Sequence, residues 1–165
     1  MNVIGNGTRI AIVGLAAVLV AVLLGTPLQQ LVNAQQRGGT RRAIVPPKSP
    51  NTGLPFSPGI LVGNTLYLSG HLGRDPVSAK LAPGGIEGET RQALANIREV
   101  LRNAGMDFKD VVSVTAYIAN FNDFDKFNAV YREYFPTDPP ARATVQVAAL
   151  NIGARVELQM IAVKP

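Results

Sequence analysis

From Ile10 to Gly25 the chain reads IAIVGLAAVLVAVLLG, sixteen residues without a polar side chain. The run is apolar all round, so it has no amphipathic face with which to line a core. As a helix it covers roughly 24 Å, short of a ~30 Å hydrocarbon layer. Arg9 precedes it, and Val32-Asn33-Ala34 supplies small residues before a cleavage point after Ala34. A basic start, an apolar middle and a small-residue exit describe a secretory signal peptide over residues 1–34. The competing reading is a retained membrane anchor, lengthened by Leu28, Leu31 and Val32. Arg37, Arg41 and Arg42 beyond it would then hold the following domain on the cytoplasmic side. The expectation is an exported, periplasmic or membrane-tethered protein, with a cytoplasm-facing anchored form as the alternative.

Residues 35–53 (QQRGGTRRAIVPPKSPNTG) mix Gly, Pro and basic residues without apolar periodicity, which is linker composition. A single domain is expected over residues 54–165. Its β-rich runs 59–62 and 65–69 flank Gly63-Asn64 and read as a hairpin. Residues 70–85 hold Pro76, Pro83 and four glycines and read as loop. Leu94, Ile97, Val100 and Leu101 keep helical spacing, with Thr90 as cap and Asn103-Ala104-Gly105 as terminator. Val111–Ile118 is β-branched and reads as a strand. A second helix, capped by Asn122 or Asp123, carries Phe124, Phe127, Val130, Tyr131 and Tyr134 on one side and stops at Pro136. Two last strands, about 143–148 and 155–163, are joined by a turn near Asn151-Ile152-Gly153.

This order implies an α+β domain, a mixed six-strand sheet with two helices packed on one face. The other face is left open. Val145, Val147, Leu158 and Ile161 cannot all point inward on alternating strands, and an uncovered apolar face favours self-association.

Charge changes the picture by its position. The formal net charge is +5, yet Arg9, Arg37, Arg41, Arg42 and Lys48 carry all of it. Residues 51–165 hold as many acids as bases, so the domain has no broad footprint for a polyanion, and no nucleic-acid partner is expected. The basic segment is the one place where membrane contact is expected. Cysteine is absent and His71 is the sole histidine, which excludes thiolate and multi-histidine metal sites. No phosphate-binding loop, HExxH or GxSxG occurs. A lone His71 at a strand end is read as structural or exposed.

Two charges are harder to dismiss. Arg142 opens a strand otherwise almost free of charge, and Glu157 lies inside the last apolar strand. Isolated charges there are costly unless paired or liganded. A hairpin centred near residues 151–152 sets Glu157 opposite about Gln146, on the sheet face of Arg142 and some 13 Å from it along the strand. That gap is wide for a salt bridge and suits a small molecule, although two edge-exposed charges would look the same.

The segments LPFSPGILVGN, LYLSGHLGRDP, GGIEGETRQALANIREVLRNAGMDFKDVVSVTAYIANFNDF, NAVYREYF, PPARATVQVAAL and VELQMIAV then make the chain familiar. Together they resemble the RidA/YjgF reactive-intermediate deaminase family, formerly called L-PSP endoribonucleases. The resemblance implies a chorismate-mutase-like fold, a homotrimer with open sheet faces packed centrally, and sites in clefts between subunits. It implies 2-iminobutanoate/2-iminopropanoate deaminase activity: 2-imino or 2-enamino acids hydrolysed to 2-keto acids and ammonia, with no metal or organic cofactor. On the same resemblance Arg142 binds the substrate carboxylate and Glu157 positions the attacking water. Gly70 lies in the loop that approaches the ligand, and Asn128 lines the cleft. Phe56 stands where the family commonly has Tyr, and Thr144 where it has Cys or Ser. The alternatives are a non-catalytic binding or sensor protein for small carboxylates and, from the older name, an RNA-cleaving enzyme.

Overall fold

The computed structural model describes residues 39–47, 53 and 55–165. The segment expected to be a signal peptide or anchor, 1–34, lies outside the described residues, as do 35–38 and 48–52 of the linker.

Strands β1 (Arg41–Ile44), β2 (Gly59–Val62) and β3 (Thr65–Leu68) run antiparallel in that order. β1 corrects the reading of 35–53 as linker throughout: Ile44 pairs with Gly59 and is buried, which four residues too short to show periodicity could not reveal. The β2–β3 hairpin turns at Gly63, whose φ of 59° a side chain would resist. A two-residue strand, β4 (His71–Leu72), follows within the segment expected to be loop.

Helix α1 (Gly85–Asn103) starts five residues before the expected cap. Thr90 sits inside it, buried, its hydroxyl donating to Ile86 O at 2.6 Å, so the side chain is satisfied without ending the helix. Strand β5 (Val111–Ile118) leads to a 3-10 turn capped by the Asn120 side chain, then to α2 (Phe124–Tyr134). Asp123, an expected cap, instead pairs with Arg155 at 2.8 Å. β6 (Ala141–Gln146) and β7 (Val156–Val163) complete the chain.

The sheet order is β1-β2-β3-β7-β5-β6, with β4 also paired to β7, which gives seven strands rather than six. β6 and β7 do not form a hairpin; β5 lies between them, parallel to β6 and antiparallel to β7. The physical reason is the helix. A strand–helix–strand crossover returns the chain parallel to where it began, so β5–α2–β6 form neighbours.

Both helices cover one sheet face. Leu66, Leu68, Val114, Ala116, Ile118, Leu158 and Met160 from the strands share one buried cluster with Leu94, Ile97, Leu101 and Phe127 from the helices. Phe127 is fully buried, so truncating it to Ala would cost about 3–5 kcal/mol. The opposite face stays open, as expected: Val62, Tyr67 and Val145 are exposed there.

Candidate functional site

Arg142 lies at the start of β6, level with Val114 of β5, whose side chain points to the helices. Neighbours in register share a face, so Arg142 reaches under α2. Its Nη2 donates to Asn128 Oδ1 at 2.6 Å. The guanidinium carbon lies 4.4 Å from the Tyr131 ring centroid and 5.1 Å from that of Phe127. Thr144, two residues on, shares this face, level with Ala116. Arg142, Asn128 and Thr144 therefore come together at the sheet's edge.

Glu157 is level with Tyr117 of β5 on one side and Leu72 of β4 on the other. It points to the open face, away from the buried Val156 and Leu158. A one-residue bulge sets its surroundings: Tyr67 pairs with Ile161 but His71 with Leu158, so β3–β4 carry one extra residue. The bulge brings Gly70 against Glu157 so closely that a Cβ there would overlap the carboxylate. Half-buried, the carboxylate has its pKa raised by desolvation. Among the described residues no ion pair relieves it.

The loop ahead of β2 is pinned to the same bulge. Pro58 O accepts from Ser69 N at 3.0 Å and Ser69 Oγ at 3.2 Å, and His71 Nε2 lies 3.2 Å away. Burial lowers the pKa of His71, so the imidazole is neutral near pH 7 and serves as a tie. Phe56, 58% exposed, stands on this loop beside an open-face groove of about 610 Å³ lined also by Arg41, Ser57, Ile60, Tyr67 and Ser69.

Two half-sites result, and the expectation of a shared sheet face is corrected. Arg142 and Glu157 lie three residues apart along β5 and on either side of it, which puts their Cα atoms about 14 Å apart. They also project from opposite faces, because β5 intervenes where a hairpin was expected. One chain brings Arg142, Asn128 and Thr144 together, and separately Gly70 and Glu157, while Phe56 lines the groove beside Ser69. Among the described residues no group of His, Asp or Glu is arranged to hold a metal.

Residues 47–164 match the family model described as endoribonuclease L-PSP. The chain belongs to this family, that of RidA and YjgF. RidA-like sequences named 2-iminobutanoate/2-iminopropanoate deaminase are similar to it: the goat (Capra hircus) protein is 50% identical and the human one 44%. Each alignment spans 75% of this chain and 90% of the relative. The crystal structure of RidA from an Antarctic Psychrobacter superposes with a TM-score of 0.70 at 34% identity, over 74% of this chain and all of the other.

The RidA framework is legible in the set of motifs from LPFSPGILVGN to VELQMIAV, whereas neither Tyr131 nor the Pro58 carbonyl stands out in the sequence. Tyr131 read as one more core aromatic. Its spacing from Asn128 and Phe127 on one helix was the available signal. Nothing in sequence marks a carbonyl oxygen as the anchor of a loop.

Proposed function

We propose that this RidA-family chain hydrolyses 2-imino and 2-enamino acids to 2-keto acids and ammonia, as a homotrimer. In this reading Arg142, Asn128 and Thr144 of one protomer face Phe56, Gly70 and Glu157 of the next. The carrying observation is the pair of complementary half-sites. A clamp for a carboxylate and an unneutralised carboxylate for a water lie too far apart, and on the wrong faces, to meet within one chain. The exposed Val62, Tyr67 and Val145 on the open sheet face support packing against further copies. The names of relatives 44–50% identical support the same substrate class.

The chemistry follows from those groups. Arg142 takes the substrate carboxylate through N–H edges that Asn128 leaves unused, which fixes the imine carbon. Glu157 accepts a hydrogen bond from a water and takes its proton as the oxygen bonds to that carbon. The C=N π pair moves to nitrogen, which picks up a proton. The tetrahedral carbinolamine then collapses: its hydroxyl proton passes back through Glu157 or water, the C–N bond breaks, and ammonia leaves a 2-keto acid. A raised Glu157 pKa suits both taking and returning the proton.

Arg142→Ala is expected to abolish ammonia release from 2-imino acids generated in situ by an amino-acid oxidase, with the trimer intact by light scattering. Undiminished turnover in that variant overturns the reading. Phe56 favours one rival, a binding-only protein, because its exposed ring lacks a hydroxyl. Calorimetric binding of 2-oxobutanoate without imine hydrolysis would select that rival. For the N-terminal segment we propose export or tethering; N-terminal sequencing of protein from each cell fraction tests it, an intact Met1 in the soluble cytoplasmic fraction counting against.

A further inference from the structure

The clamp has a feature beyond the Arg142–Asn128 hydrogen bond. Phe127, Tyr131 and Phe135 follow one another at intervals of four along α2 and just past its end, and their rings form a ladder. Tyr131 stacks on Phe135 with centroids 4.6 Å apart at 29°, and lies 5.6 Å from Phe127. Phe135 is in turn braced edge-on by Phe108 at 5.3 Å. All four rings are buried. The middle rung is thus held from both sides, and against it lies the Arg142 guanidinium carbon at 4.4 Å.

Ring and hydrogen bonds use different parts of a guanidinium. A ring attracts the planar face, and a carboxylate takes the N–H edges. Tyr131 therefore holds the group without consuming donors, and Asn128 takes one of the five. The Tyr131 hydroxyl is buried and makes no hydrogen bond of good geometry among the described residues, but it lies close enough to Arg142 for the guanidinium to offset part of the burial that pushes its pKa up to about 12. The ring makes the close contacts on both of its sides, so a phenylalanine there would keep the packing and lose only the weak approach of the hydroxyl to Arg142.

We infer that Tyr131 is a positioning residue for Arg142: its ring is the surface that fixes the plane of the guanidinium, so that the free N–H edges meet a ligand carboxylate already aligned. The inference rests on the reading of Arg142 as a carboxylate clamp. An Arg side chain free in water must immobilise several torsions on binding, whereas one held flat has lost that freedom already. The contact is made before and after the reaction alike, so its loss falls on KM more than on kcat.

Three variants test it in the intact protein. Tyr131→Met fills much of the volume without a ring, Tyr131→Phe keeps the ring, and Tyr131→Met in an Arg142→Lys background asks whether the effect passes through the guanidinium. The readouts are the NMR order of the Arg142 Nε–H group, the Kd for 2-oxobutanoate and the KM for an imino acid. The expected result is a mobile Arg142 in Tyr131→Met, with Kd and KM raised roughly tenfold and kcat changed far less. Tyr131→Phe is expected to restore both order and affinity. In the Arg142→Lys background Tyr131→Met adds little, because no planar group is left to hold. An equally ordered Arg142 in Tyr131→Met overturns the inference. So does a Phe variant that behaves like Met, or an undiminished effect in the Lys background. If the wild type releases no ammonia from any imine, the deaminase reading fails on its own. The order of Arg142 still decides the role of Tyr131.

Discussion

The two halves of the site are built on opposite terms. Arg142 lies against buried aromatic rings, hydrogen-bonded to Asn128, on the face the helices cover. Glu157 stands on the uncovered face, pressed to Gly70, with burial working against its charge and no cation beside it among the described residues. One half is held by rings and one hydrogen bond with N–H edges to spare; the other is strained electrostatically and available. The difference fits a division of labour in which a stable clamp sets position and a poised carboxylate handles protons. On the proposed reading, neither half is a site by itself.

The largest test breaks the comparison at its root. Arg142→Ala and Glu157→Gln are each expected to be inactive as pure proteins. When the two are unfolded and refolded together, random assortment into the proposed trimers would join an intact Arg142 to an intact Glu157 at about one quarter of the interfaces. Ammonia release should reappear near that fraction of wild type. A mixture as inactive as its components would show that both residues act from the same chain, against the half-site reading.

A second test addresses the Glu157 half alone. Gly70 has an ordinary negative φ, so alanine there brings no backbone strain. Its Cβ would nevertheless claim the space of the Glu157 carboxylate. Gly70→Ala should therefore lower kcat by about ten- to a hundredfold, a part of what a positioned acid–base group contributes. Binding of 2-oxobutanoate should be affected less. Adding Gly70→Ala to Glu157→Gln should cost little more, because both disturb one group. Full additivity would mean that Gly70 acts elsewhere.

The same contrast explains what could be read from sequence. Arg142 and Glu157 stood out because a charge in an apolar strand is unusual at the level of single residues, and no tertiary knowledge was needed. Their faces did not, because a face depends on which strand is the neighbour. The Asn151-Ile152-Gly153 turn suggested a hairpin, and the chain does turn there, with Ile152 at φ 54° and Gly153 at φ 73°. What it joins are two strands separated by β5. The strand–helix–strand order around α2 favours a parallel β5–β6 pair, and that crossover overrides the local turn chemistry. β1 was hidden for another reason: four residues, RRAI, bury one side chain, too little pattern to distinguish from a basic linker. Gly70 is legible as a glycine, but its purpose comes from a bulge that only the register shows.

The smallest effect concerns protons. Burial holds the Glu157 pKa above the ordinary glutamate value, and buried Glu89 is shifted the same way, by desolvation first, despite accepting the Arg155 N–H at 2.7 Å. A raised native pKa means that the folded protein keeps its proton to higher pH than the unfolded chain. The stability contributed by these two groups is therefore fully present below the ordinary glutamate value and is lost as pH rises through the native one. Replacing Glu157 by Gln removes a group from that balance, so the melting temperature of Glu157→Gln should fall less over this range than that of wild type, in scans at fixed protein concentration. The acid limb of kcat/KM should lie above the ordinary glutamate value as well, since Glu157 must be ionised to take the water's proton. An acid limb at the ordinary value would place Glu157 in solvent, and the contrast between a held clamp and a poised carboxylate would be lost.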